Sequence, residues 1–123
     1  MVWELLREEK IIVSNYDAGG TDAQWHEYIA LMGTFKAEEP WRFLVYAEQA
    51  PPRFAIEGIA AIARGKRWLV SLLSGSLATR FVATTFSLVM THFRFFPHDA
   101  LPNALDHLGC TPAEKVKLRQ VLR

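Results

Sequence analysis

The chain has one cysteine, Cys110, among its 123 residues. That excludes an internal disulfide framework and any thiolate-rich metal site built from this chain alone. Charge of one sign is also missing, because 14 Lys and Arg stand against 13 Asp and Glu, a net charge of +1. No overall pull toward nucleic acid or an anionic membrane surface follows. Charged residues make up 22% and apolar residues 50%, a balance that excludes a disordered chain. Met1 to Lys10 lack a basic start followed by an apolar run, so they do not read as a signal peptide. The longest apolar stretch, Trp68 to Met90, is interrupted by Ser74-Gly75-Ser76 and carries Arg80 near its middle. An Arg at mid-bilayer costs about 2.5–3.5 kcal/mol even on lenient scales, so a buried strand, a turn and a core helix are the better reading. The expectation is a cytoplasmic single domain over residues 1–123. It is long enough to bury its own core.

The near-neutral total conceals an asymmetry. Residues 1–60 hold ten acids and five bases, whereas residues 61–123 hold three acids and nine bases.

Turn residues and periodicity divide the chain. Val2 to Leu6 and Ile11 to Tyr16 read as strands joined by the polar turn Arg7-Glu8-Glu9-Lys10. Thr21 and Gln24 form a capping box, and Trp25, Tyr28, Ile29 and Met32 give the following helix one apolar face, with Gly33 as its stop. Trp41 to Ala47 is a dense β-forming run, ended by Gln49-Ala50-Pro51-Pro52. Ile56, Ile59, Ala60 and Ala63 stripe the next helix, and Gly65 closes it. Trp68 to Leu73 is nearly continuous in apolar residues, as a strand covered on both faces should be. Ser76 reads as the cap of a helix to about His92, with Arg80, Thr84, Ser87 and Thr91 as its polar stripe. Phe93 to Phe96 is a short strand, after which Asp99 is expected to cap a helix ending at His107 and Gly109. Thr111 and Glu114 form a second capping box, and Val116, Leu118, Val121 and Leu122 give the last helix an apolar side.

The order β-β-α-β-α-β-α-β-α plus a C-terminal helix predicts an α/β fold. Its sheet should be mixed but mainly parallel, of about five strands, with an N-terminal hairpin. In a sheet wound in sequence order, the acidic and basic halves are expected at opposite ends of the molecule.

Chemistry is sparse in the sequence. Asp17-Ala-Gly-Gly-Thr-Asp22 lacks both GxGxxG and GxxxxGK[ST], and its carboxylates would repel phosphate. His26, His92, His98 and His107 form neither HxxxH nor HExxH, so no metal site is assigned and the histidines are read as surface or helix-end groups. Ser76 sits at a strand-to-helix turn, but positions 74 and 78 are Ser and Ala where a nucleophile elbow needs glycine. Cys110 has no placed base beside it and reads as a small residue at a helix junction. Arg64-Gly-Lys-Arg67 and the set Lys115, Lys117, Arg119 and Arg123 lack the interleaved aromatics of a single-strand nucleic-acid binder. No catalytic residue and no cofactor follow from these patterns.

The carrying features are the hairpin, the capped helix after Thr21, the strands Arg42-Phe-Leu-Val-Tyr46 and Trp68-Leu-Val-Ser-Leu-Leu73, and the ending Phe93 to Leu108. In that order they resemble the STAS family, the domain of anti-sigma factor antagonists and sulfate transporter tails, and look closest to its divergent stand-alone bacterial members. The match spans about residues 3–108, with 111–123 as an added helix. The resemblance implies a βα superhelix that binds another protein without catalysis, a regulatory kinase or other signalling component being the implied partner. In regulatory members a Ser or Thr in the loop after the third strand is phosphorylated. The equivalent loop, Glu48 to Phe54, contains neither, so no phosphorylation site is carried over. Gln49, Pro51, Pro52, Arg53 and Phe54 are the candidate partner contacts. The main alternative is a carrier of small apolar ligands or lipid, and a hydrolase using Ser76 or Cys110 is the third. Self-association through an exposed sheet edge fits any of these.

Overall fold

The computed structural model describes residues 1–88, 90 and 92–122, without the side chains of Ala78 and Phe81. Its elements run β1 (Val2–Leu6), β2 (Ile11–Asn15), α1 (Asp22–Gly33), β3 (Arg42–Tyr46), α2 (Arg53–Ala63), β4 (Leu69–Leu73), α3 (Leu77–Ser87), β5 (His92–Phe96), α4 (Leu101–His107) and α5 (Pro112–Val121). The sheet order is β1-β2-β3-β4-β5, antiparallel in the hairpin and parallel from β2 onward. The fold is therefore α/β with a mixed, mainly parallel five-stranded sheet, as the pattern predicts.

Parallel crossovers that step along a sheet in one direction place their helices on one face. Helices α1, α2 and α3 accordingly cover one side. Trp25, Tyr28 and Met32 of α1 and Ala55, Ile59 and Ala63 of α2 pack there with Ile12, Phe43, Val45, Val70 and Leu72 of the strands. The alternate strand residues Ile11, Val13, Leu44 and Leu73 point to the other face, where Leu105, Leu108 and Leu118 of the C-terminal segment cover them. This two-period alternation explains why the central strands are apolar throughout.

Most boundaries follow their local signals. Thr21 with Gln24 and Thr111 with Glu114 make complete capping boxes, and Ser76 accepts the Thr79 N–H. Gly109 has φ +65 at the end of α4, a conformation that disfavours any side chain.

Four expectations are corrected. Gly33 lies inside α1, and Thr34 is its cap residue, its N–H and hydroxyl both reaching the Leu31 carbonyl. Helix α3 stops at Ser87, and His92 already belongs to β5; Thr91 lies outside the described residues. Asp99 does not cap α4, because it is inside a turn closed by the Ala100 N–H on the Pro97 carbonyl. Val116 is 59% exposed and contributes nothing to the apolar side of α5.

The expected separation of charge also fails at α5. That helix returns across the second face, where Lys117 pairs with Glu9 of the hairpin turn and Glu114 pairs with Arg42 of β3. Basic and acidic halves therefore meet, although β1 and β5 occupy opposite sheet edges. Among the described residues no helix is long and apolar enough to cross a membrane.

Candidate functional site

Because β2 to β5 are parallel, their carboxyl ends share one edge of the sheet, the edge at which open α/β sheets bind ligands. Asn15, Tyr46, Leu73 and Phe96 are partners across this edge. The backbone ladder extends one residue further, with Tyr16, Ala47 and Ser74 donating to the carbonyls of Tyr46, Leu73 and Phe96. Two residues beyond the aligned row lie Asp17, Glu48, Gly75 and His98. All four lie in the loops that follow the strands. The register thus assembles, from four separate loops, a site that no local motif announces.

The side chains converge. His98 Nε2 lies 3.5 Å from Asp17 Oδ2 and 3.7 Å from Glu48 Oε1. Glu48 Oε1 also accepts the Gly75 N–H at 2.9 Å, which ties the loop after β3 to the start of α3. The Tyr46 ring and the imidazole meet in an edge-on arrangement, with centroids 5.4 Å apart and planes at 66°. Burial raises the pKa of the Tyr46 hydroxyl, and the charge of Asp17 adds to the effect. Asp17 Oδ1 is enclosed and accepts no hydrogen bond from the described residues. One carboxylate oxygen from each acid and one imidazole nitrogen all lie within 4.8 Å of one another, a set able to hold a metal ion. The histidines read as isolated surface groups therefore include one that joins two carboxylates. Residues spaced 31 and 50 apart give no signal until the strand register is known.

The loop residues expected to touch a partner divide into outward and inward groups. Gln49 and Arg53 are exposed, and Pro52 and Phe54 are half-buried. Gln49 Oε1 stands over Gly19, where an added Cβ would approach to 2.8 Å. Arg53 pairs with Glu57, and Phe54 stacks on His26 with centroids 4.6 Å apart. Pro51 is buried and lines the interior, so it shapes the turn and offers no surface contact. Beside these residues, Ser74 to Leu77, Arg80, Phe95 and Pro97 line an open hollow of about 170 Å³, with Leu77 73% exposed at its margin.

The two residues considered as nucleophiles are otherwise engaged. Ser76 Oγ accepts the Thr79 N–H of its own helix. Cys110 is buried on the opposite face, and its burial raises the thiol pKa.

On the α1–α3 side the described residues line a partly open cavity of about 40 Å³, made of aromatic and aliphatic groups together with Thr79. At roughly 10–15 Å³ of such space per water this is room for about three waters.

Comparison with protein-family models, curated proteins and solved structures finds no match to this chain.

Proposed function

We propose that this protein is a non-enzymatic interaction module that docks another protein on the rim at the carboxyl ends of β3, β4 and β5. The observation that carries this reading is the Glu48 bridge. By accepting the Gly75 N–H, it ties the start of the loop that carries Gln49 to Phe54 to the segment before α3, where exposed Leu77 borders the Arg80–Phe95 hollow. A surface fixed before binding spends little conformational entropy on docking. The resemblance to the STAS family supplies the regulatory character of the proposed partner. The small interior cavity favours this reading over the lipid carrier.

Capture from native-cell lysate should be run in parallel with wild type, a rim variant (Gln49→Ala, Arg53→Glu, Leu77→Asp) and an opposite-face variant (Arg119→Glu). The expected result is one partner retained by wild type and Arg119→Glu and lost, by at least roughly tenfold, from the rim variant. Equal retention by the rim variant overturns the reading.

A further inference from the structure

We propose that Asp17, Glu48 and His98 form a binding site for one divalent transition cation of the Zn²⁺ class. Geometry is the first support. Ligands about 2.0–2.2 Å from a tetrahedral ion stand about 3.3–3.6 Å from each other. The His98 nitrogen lies 3.5 Å and 3.7 Å from the two carboxylate oxygens, within a few tenths of an ångström of that spacing. Three ligands come from three loops whose positions the parallel register sets, so closing on an ion needs side-chain adjustment only. Three protein ligands on an exposed rim leave a fourth position open to water or to a group from a partner.

Electrostatics is the second, independent support. Among the described residues neither Asp17 nor Glu48 meets a lysine or arginine within ion-pair distance. Asp17 Oδ1 has been withdrawn from water with no donor in return. An enclosed carboxylate oxygen without a partner is costly, and a cation bound at Oδ2, the Asp17 oxygen that faces His98, would offset the charge that this carboxylate carries.

The ligand chemistry selects the ion. Imidazole with carboxylates suits Zn²⁺ and its neighbours, whereas Mg²⁺ asks for six oxygens in octahedral geometry. The Gly75 N–H on Glu48 Oε1 acts as an outer contact that orients the carboxylate toward the ion. The site stands independently of the docking reading, since it can fill whether or not a partner binds the rim.

The test is Zn²⁺ titration of the chelator-treated protein by calorimetry, with Co²⁺ as spectroscopic probe. One equivalent of Zn²⁺ should bind, and His98→Ala and Asp17→Asn should each weaken it by about 100-fold or more. Cys110→Ala and His107→Ala should leave affinity within about twofold. Titration of the wild type followed by histidine ring NMR signals needs no variant to fold, and it should move His98 ahead of His26, His92 and His107. Affinity unchanged in His98→Ala, a thiolate charge-transfer band from Cys110 in the Co²⁺ spectrum, or a response led by another histidine would overturn the proposal.

Discussion

Replacing Phe43 with alanine is expected to lower folding stability by about 3–5 kcal/mol. Phe43 occupies the middle strand of the sheet and is buried among aromatic rings, 4.9 Å from Trp68 and 6.1 Å from Phe35 by centroid. Phe35 is itself stacked on Trp41 at 3.9 Å, so these neighbours hold one another in place and cannot collapse into the vacancy. The vacancy would also join the cavity already lined by Phe43. Both effects push the cost toward the upper part of the range, because it grows with the void that remains. A domain stable by about 5–15 kcal/mol would lose a large share of its margin. Urea unfolding should show a lower midpoint with an unchanged slope. Val116→Ala, on the exposed side of α5, should stay within about 0.5 kcal/mol. A loss below about 1 kcal/mol for Phe43→Ala would contradict the described packing.

The second large effect belongs to Arg42 and Glu114. The guanidinium donates to both carboxylate oxygens, at 3.0 and 2.6 Å, and its Nη2 also reaches the Glu9 carbonyl at 2.8 Å. One residue thus fastens the hairpin, β3 and α5 together. The Arg42 hydrogen bonds, helped by the Thr111 N–H, hold the Glu114 pKa down at about 2. A native carboxyl below its ordinary value stabilises the fold at pH above the unfolded value, 4.5. That stability is lost as pH falls from 4.5 toward 2, since the unfolded chain then binds the proton and the native state does not. Glu114→Gln should cost about 2 kcal/mol at pH 7, the usual worth of charge-assisted bonds in a mostly covered site. The difference between wild type and Glu114→Gln should narrow on acidification and nearly vanish near pH 2, as followed by urea titration at several pH values. A gap that stays constant with pH would show that the ion pair is not its source.

The element order was legible because its signals are local. Capping boxes at Thr21 and Thr111 and the hairpin turn each act within a few residues. The register-dependent features were not. Asp17, Glu48 and His98 belong to three loops, and only the alignment of Asn15, Tyr46 and Phe96 across the parallel strands places them together. Counting two residues beyond the strand ends reaches all three only from the structural ends Asn15, Tyr46 and Phe96; from the ends read in the sequence, Tyr16 and Ala47, it reaches Ala18 and Gln49. The return of α5 to the hairpin depends on which face Leu118 covers. Helical periodicity says that Leu118 is buried but not against what, so the charge distribution could not follow from the order of elements. Asp99 was misassigned because a turn and a helix cap favour the same residue type, and the Pro97–Ala100 turn used it first.

The most direct measurement is hydrogen–deuterium exchange of the full chain alone and saturated with the partner recovered by capture. The docking proposal predicts slowed exchange in residues 48–54 and 74–80, with the hairpin and α5 unchanged. Protection confined to the hairpin and α5, or none at the rim, would contradict it.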